Sequence, residues 1–249
     1  MKSITHALVV IPAHDEEDHI ASCLAAVFAA ARHVNIHVEV VVALDQCNDR
    51  TEQIVDDVPH DIHALSFSFA EVGRSRHAGI IAGLVILRDV DKSNIWILNT
   101  DADSVVPPTW IATHLRYAQD YDAVAGTVDP DWGDTPQEII DEYNRHYDNS
   151  PGHSHIHGAN MSFGAGAYLD VGGFPRTDES EDVALLDLML VDGMRIARIA
   201  EDPVVTSTRD SDRTPGGFSG YIAALGDEID QASRDKDRKN PDPRGVVDA

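Results

Sequence analysis

Cysteine is scarce in this chain of 249 residues: only Cys23 and Cys47 are present, too few for a disulfide framework. A reducing compartment, the cytoplasm, is therefore the expected location. No apolar run reaches the roughly 18 residues that would suggest a membrane span. Pro12 and the charged run after it interrupt the first apolar segment, which does not read as the core of a signal peptide. Basic residues are also few. Lys and Arg number 19 against 43 Asp and Glu, a net charge of −24. This disfavours nucleic acid and anionic membrane surfaces as partners. It also repels nucleoside diphosphates, so a site for one needs a cation and a few local arginines. Such an acidic surface suits a salty medium, which composition alone does not establish.

What is present is enough for a core: 43% of residues are hydrophobic and 25% charged. The length fits one large α/β domain or two small ones. Apolar runs at residues 7–11, 36–44, 62–67, 94–98 and 122–128 read as strands. Helical spacing appears behind most of them, as in Ile20, Leu24, Val27, Phe28 and Ala31. Alternation of this kind predicts a mostly parallel sheet with helices on both faces. Beyond Val128 the pattern loosens, with helices expected near 137–147, 165–171, 181–191 and 218–229. Strands are expected at 158–163, 195–199 and 204–208. We expect one domain over residues 1–232 and a flexible charged tail at 233–249.

The stretch Leu98-Asn99-Thr100-Asp101-Ala102-Asp103 carries the most chemistry. An apolar strand runs into two carboxylates one residue apart, and in extended backbone such residues face the same way. The crevice past strand ends is where ligands bind in open α/β sheets. Two carboxylates there suit a hard divalent cation, Mg2+ or Mn2+, sharing its coordination with substrate phosphates. On spacing alone a loop cap is the better reading; the surrounding motifs decide.

Those motifs come in a familiar order. Val9-Val10-Ile11-Pro12-Ala13-His14-Asp15-Glu16-Glu17 resembles the opening strand and turn of family 2 glycosyltransferases with the GT-A fold. Asp45-Gln46-Cys47-Asn48-Asp49-Arg50-Thr51 resembles their second turn, and Arg76-His77-Ala78-Gly79 their Arg-Asn-x-Gly element. Asp101-Ala102-Asp103 resembles their Asp-x-Asp motif. Gly158-Ala159-Asn160-Met161 and Gly172-Gly173-Phe174 resemble the start of their acceptor half, and Glu181-Asp182 their Glu-Asp motif.

The resemblance implies a nucleotide-sugar-binding half at 1–128 and an acceptor and catalytic half at 129–232. It implies inversion at the anomeric carbon, Mg2+ or Mn2+, and a nucleotide-sugar donor, with UDP the family's most frequent nucleotide. Donor contacts would fall to Pro12, Ala13, His14, Glu16, Asp45, Arg76, Asp101 and Ala102. An ionised Asp45 only accepts hydrogen bonds, which suits a uracil N–H or a ribose hydroxyl. Asp103, with Asp101, would meet the metal, which stabilises the departing diphosphate. Asp182 would take the acceptor's proton, with Glu181 orienting the acceptor or assisting. His157 and Asn160 would lie on the acceptor side. Arg209 and Arg213 would reach the diphosphate from a closing Arg/Asp/Gly-rich loop.

Each residue has a plainer role. Asp49 suits a helix cap, as does Asp182 taken alone. Arg74 and Arg76 could be solvated charges, and His14 a simple turn residue. His153, His155 and His157 alternate and so face one side, but no Cys or carboxylate cluster beside them supports a zinc site. The chain also departs from the family. His77 stands where Asn is usual, and no histidine follows His157 to complete a metal site, leaving Asp210, Asp212 or water. A Gln-x-x-Arg-Trp element is absent, against a processive synthase. One sugar moved to a small or lipid-linked hydroxyl acceptor is expected, and a homodimer is left open. Two other readings are a sugar-1-phosphate nucleotidyltransferase, disfavoured by the acidic, glycine-free first loop, and a non-catalytic nucleotide-sugar-binding protein.

Overall fold

The computed structural model describes residues 3–177, 180–209 and 220–226. Its first half alternates as the sequence predicts: β1 (His6–Ala13), α1 (Ile20–Ala31), β2 (His37–Asp45), α2 (Thr51–Asp56), β3 (His63–Phe67), α3 (Val72–Ile86) and β4 (Ile95–Asn99). These four strands pair in parallel. Every residue of β4 is buried, and so is all of β1 after His6. Cover on both faces explains why these strands read as unbroken apolar runs rather than alternating ones. Helix α3 lies directly on the sheet because Gly79 lacks a side chain: a Cβ there would sit 2.8 Å from Val10 Cγ1.

The remaining elements are β5 (Ser104–Val105), α4 (Trp110–Tyr117), β6 (Ala123–Asp131), α5 (Gln137–His146), β7 (Met161–Gly164), α6 (Ala165–Asp170), α7 (Glu181–Val191) and β8 (Ile196–Ser207). Among the described residues, eight strands form one sheet in the order β3-β2-β1-β4-β7-β6-β8-β5. From β1 the chain goes outward to β2 and β3, then returns on the other side as β4. In open α/β sheets ligands bind past the strand ends at such a reversal, here the ends of β1 and β4, and Asp101 follows β4 directly.

Several boundaries differ from the sequence reading. Strand β6 runs on to Asp131 where a turn is expected, and β7 and β8 join the same sheet as β1 to β4. The expected division at residue 128 therefore does not divide the sheet. The two strands expected at 195–199 and 204–208 are one strand, β8, with its irregularity opposite Gly126 and Val128. Gly158–Asn160 is a single helical turn rather than the start of β7. The two-residue β5 has no sequence signature.

Contacts group the chain into two compact units. One is Met1–Asp131 with Asp148–Ser207, which carries the sheet. The other is Trp132–Tyr147 with Thr208–Ala249. Within the second, α5 and a helix at 220–226 bury Tyr143, Ile222 and Leu225 against Trp132, Ile139 and Tyr147. Among the described residues no helix is long and apolar enough to cross a membrane.

Candidate active site

The turns after β1 and β2 are stitched together. Asp15, in left-handed backbone at φ 50°, accepts the Asn48 N–H at 2.6 Å and the Asp49 N–H at 3.3 Å. Asp49 accepts the Glu17 and Thr51 N–H groups, both at 2.9 Å, and so ties the two turns together; Arg50, not Asp49, stands at the cap of α2. Thr51 Oγ1 accepts the Glu16 N–H at 2.7 Å, and Glu17 Oε2 accepts from Arg50. His14 Nδ1 donates to the Asp45 carbonyl. An acidic segment holds its shape here because backbone N–H groups answer its carboxylates. Pro12 and Ala13, the last residues of β1, are buried below this platform.

Asp45 is placed differently from expectation. It is 3% exposed. Its Oδ1 accepts the N–H groups of Phe69 at 2.7 Å and Ala70 at 3.1 Å. Its Oδ2 accepts the Glu71 N–H at 3.2 Å and the Ser75 hydroxyl at 2.7 Å. Burial works against the charge, but these bonds outweigh it and hold the carboxyl below its ordinary range. The group expected to read a base or ribose is occupied in shaping the approach to α3.

Asp101 and Asp103 do not lie on extended backbone either. The Ser104 N–H bonds to the Asp101 carbonyl at 3.1 Å, closing a turn with Ala102 buried inside it. The Cys23 thiol, buried in α1, donates to the same carbonyl at 3.3 Å. Burial, then the nearby Asp103 and Asp101 charges, push that thiol up. The two aspartates are half-buried. Among the described residues no group of three or more His, Cys, Asp or Glu is placed to hold a metal ion. A pair of hard carboxylates still fits Mg2+ or Mn2+, which commonly take one or two protein carboxylates and complete their shell with phosphate and water.

Arg76 lies under this turn rather than out in the crevice. Its side chain is 4% exposed. One terminal nitrogen donates to Asp101 Oδ1 and the other to Glu181 Oε1. Burial opposes the guanidinium charge, but Asp101 and Glu181 more than offset that and fix it as a cation. The arginine expected at the diphosphate thus joins the Asp-x-Asp turn to the first residue of α7.

Helix α7 starts after Ser180, whose backbone is left-handed at φ 58°, and Glu181 and Asp182 fill its first turn. Asp182 Oδ2 accepts the Gly158 N–H at 2.8 Å, and its Oδ1 accepts the Val183 N–H at 2.8 Å. Burial raises the Asp182 carboxyl above its ordinary value, partly countered by Arg76. Glu181 is raised for the same reason against the same counterweight. A carboxylate of raised basicity, held in place by two backbone N–H groups, suits proton abstraction.

The alternating histidines do share a face. The rings of His153 and His155 stack at 5.7 Å between centroids, and those of His155 and His157 at 5.9 Å. Parallel stacked rings do not converge on a metal, and His153 Nε2 donates to the Ile199 carbonyl at 3.0 Å. Burial, then its two histidine neighbours, bring His157 down to about 3, so it is neutral. Asn160 is fully buried. Its Oδ1 accepts from Trp110 Nε1 at 2.9 Å and His114 Nε2 at 3.0 Å, and its Nδ2 donates to the Thr127 carbonyl at 2.7 Å. It braces β6, β7 and α4 and offers no amide to an acceptor. Arg209 is exposed, at the start of the second unit's returning segment. Arg213, Asp210, Asp212 and the loop expected around them lie outside the described residues.

Sequence reasoning missed Gly158 as the donor to Asp182, Cys23 beneath the aspartate turn, and Ser75 with the Phe69–Glu71 backbone around Asp45. Backbone donors carry no side-chain signature. Only Gly158 stood inside a motif already marked.

Comparison with known proteins bears on the fold and the family. No curated protein matches the sequence. Among solved structures, the fold resembles that of S. aureus TarS, with a TM-score of 0.61 at 14% identity over 81% of this chain and 36% of that one. A crystal structure of S. aureus TarS 1–349 in complex with UDP-GlcNAc superposes with a TM-score of 0.58 at 16% identity, covering 85% of this chain and 61% of that one. The mannosyltransferase PcManGT from Pyrobaculum calidifontis, in complex with GDP-Man and Mn2+, gives a TM-score of 0.62 at 17% identity, covering 83% and 58%. The chain thus spans less than two thirds of the length of these structures. The family model described as Glycosyl transferase family 2 matches residues 8–164, which include both stitched turns, Arg76, the Asp101–Asp103 turn and Gly158. With the sheet and the carboxylates in that order, the chain belongs to glycosyl transferase family 2.

Proposed function

We propose that this glycosyltransferase moves one sugar, with inversion, from a nucleoside-diphosphate sugar to a hydroxyl acceptor, with Asp182 as the base. One observation carries the reading: a buried guanidinium ties Asp101, at the sheet's ligand-binding crevice, to Glu181, the neighbour of Asp182. Two carboxylates 80 residues apart in sequence share one arginine, which supports reading them as parts of one site.

In this reading the stitched turns after β1 and β2 receive the nucleoside. Backbone groups near Ala13 and His14 do so in place of the Asp45 carboxylate. Asp182 accepts the proton of the acceptor hydroxyl as its oxygen bonds to the anomeric carbon. The bond from that carbon to the diphosphate oxygen breaks, and the nucleoside diphosphate leaves with the electron pair. Attack opposite the leaving group inverts the centre. Asp103, with the second oxygen of Asp101, would hold Mg2+ or Mn2+, which when bound neutralises charge on the leaving diphosphate. Raised basicity from burial, with Gly158 and Arg76 keeping the charged form accessible, supports Asp182 as the base. UDP is the first donor to test, since one structural neighbour is in complex with UDP-GlcNAc; GDP-mannose is the second.

The test is a panel of UDP-, GDP- and dTDP-sugars, with and without Mn2+, scored by thermal shift and by release of nucleoside diphosphate. A donor that stabilises the wild type and Asp182→Asn alike, but is turned over only by the wild type, supports the assignment. Undiminished turnover by Asp182→Asn would remove it.

A further inference from the structure

Arg76 is seated with unusual care. It lies one helical turn into α3, and its guanidinium is surrounded by protein. Two glycines shape the seat. A Cβ on Gly158 would collide with the guanidinium, and a Cβ on Gly73 would come within 2.9 Å of Glu181 Cγ. Gly158 also supplies the N–H that Asp182 accepts. The backbone that makes room for the arginine is therefore the backbone that holds the base. No such fit is needed for an arginine that reaches into solvent to meet a diphosphate.

We propose that Arg76 is a positioning residue for the transfer step: by bridging Asp101 and Glu181 it locks the first turn of α7 to the Asp-x-Asp turn, and so fixes Asp182 for proton abstraction instead of binding the donor's phosphates. A single buried cation between two carboxylates suits this role. A guanidinium offers donors in a rigid fork and can serve both at once, whereas an ammonium presents one point charge. Removing it would leave two carboxylates facing each other at a buried site with Asp182 beside them. Among the described residues, the charged groups around Asp182 are Arg76 from α3, Asp101 from the turn after β4, and Glu181 on its own helix. Arg76 is the one cation among them. Its loss therefore raises the basicity of Asp182 further and loosens its position.

The inference rests on Asp182 as the base, and the experiment separates the two. Initial rates are measured for the wild type, Arg76→Gln, Arg76→Lys, Gly73→Ala and Asp182→Asn across pH, with donor KM and kcat resolved. Circular dichroism and donor thermal shift confirm that each variant folds. Arg76→Gln is expected to lower kcat roughly ten- to a hundred-fold, within what general-base catalysis contributes. It should leave donor KM within about threefold and move the acid limb of kcat/KM to higher pH. Arg76→Lys should restore part of the limb's position but little of kcat. Gly73→Ala keeps every charge and disturbs only the seat of Glu181, so it should lower kcat without weakening donor binding. A raised donor KM in Arg76→Gln, with kcat and the acid limb unchanged, would return the arginine to the diphosphate and overturn the inference. Undiminished turnover in Asp182→Asn would overturn the base reading instead.

Discussion

The Asp45 carboxylate and the Ser75 hydroxyl meet at 2.7 Å, tying the end of β2 to the first turns of α3 across 30 residues. The same carboxylate collects the N–H groups of Phe69, Ala70 and Glu71, so the connection from β3 to α3 is folded around one buried charge. Arg76 follows one residue after Ser75, which makes the Asp45 cap the foundation for the Arg76 bridge.

Asp45→Asn should therefore destabilise the fold by about 2–4 kcal/mol, because an amide cannot accept all four bonds and places its own N–H against backbone donors. The sign with pH follows from the lowered carboxyl. Its stabilisation is present above the ordinary value of 3.8 and is lost as pH falls through the lower folded value. Urea unfolding of wild type and variant should show a gap at neutral pH that closes in strong acid. A gap of the same size at every pH would refute the assignment of the effect to this charge.

Asp182→Asn should do the opposite at neutral pH. A carboxyl whose value is raised by burial binds its proton more tightly folded than unfolded, so its contribution is favourable in acid and turns unfavourable as pH rises through that folded value. Replacing the charge with an amide, which can still accept the Gly158 N–H, should raise the urea midpoint near about pH 8 and make no difference in acid. A midpoint no higher than wild type at alkaline pH would show that the raised basicity is not felt by the fold. Transfer should be lost in the same variant, a conflict between stability and activity common at working sites.

Asp103→Asn tests the cation. If Asp103 holds Mg2+ or Mn2+ with the donor, the two together should stabilise the wild type by about 2.7 kcal/mol at a hundredfold excess over Kd. The variant should lose the part of that gain that depends on Mn2+. Asp101→Asn is the less informative choice, because it also removes a partner of Arg76. Equal Mn2+-dependent gains in wild type and Asp103→Asn would exclude Asp103 as a ligand.

The sequence made some of this legible and hid the rest for identifiable reasons. Strands β1, β2 and β4 are legible because burial on both faces demands continuous apolar runs. Glu181–Val191 starts and stops where the apolar spacing says it should. The residues of the site are also legible in kind, since two acidic turns, an arginine and two carboxylate motifs stand out in any chain of this charge. Their partners are not. Nothing local tells that Asp45 spends its oxygens on backbone 24–26 residues away, or that Arg76 turns inward to Glu181, 105 residues on. The extended-backbone argument for Asp101 and Asp103 failed because the strand had already ended at Asn99 and a turn had begun. Asn160 looked like a ligand-facing polar residue because the partners that bury it, Trp110 and His114, come from another helix.

That buried network supplies a last prediction. His114 is fully buried, donating from Nε2 to Asn160 Oδ1 while its Nδ1 accepts the Ser162 hydroxyl at 2.7 Å. The Ser162 oxygen in turn accepts from Trp96 Nε1 at 2.8 Å, which leaves its proton for the imidazole and fixes the tautomer. Burial holds His114 down to about 4, from an ordinary 6.5, so the fold carries a neutral ring that the unfolded chain protonates. The stability tied to that neutral ring is present above 6.5 and is lost as pH falls toward 4, a change on the order of 3 kcal/mol. Neutral His157 adds to the acid sensitivity over the same range. His114→Gln should lower stability at neutral pH, since an amide keeps one of the two bonds and misplaces the other. It should also flatten the fall of unfolding free energy between about pH 6 and 4.5 by up to one proton's worth, roughly 1.4 kcal/mol per pH unit. Urea titrations at closely spaced pH read both effects in one series. Parallel curves for wild type and variant, displaced but of equal slope, would mean that His114 is not the group taking up the proton and that the tautomer drawn from Ser162 and Trp96 is wrong.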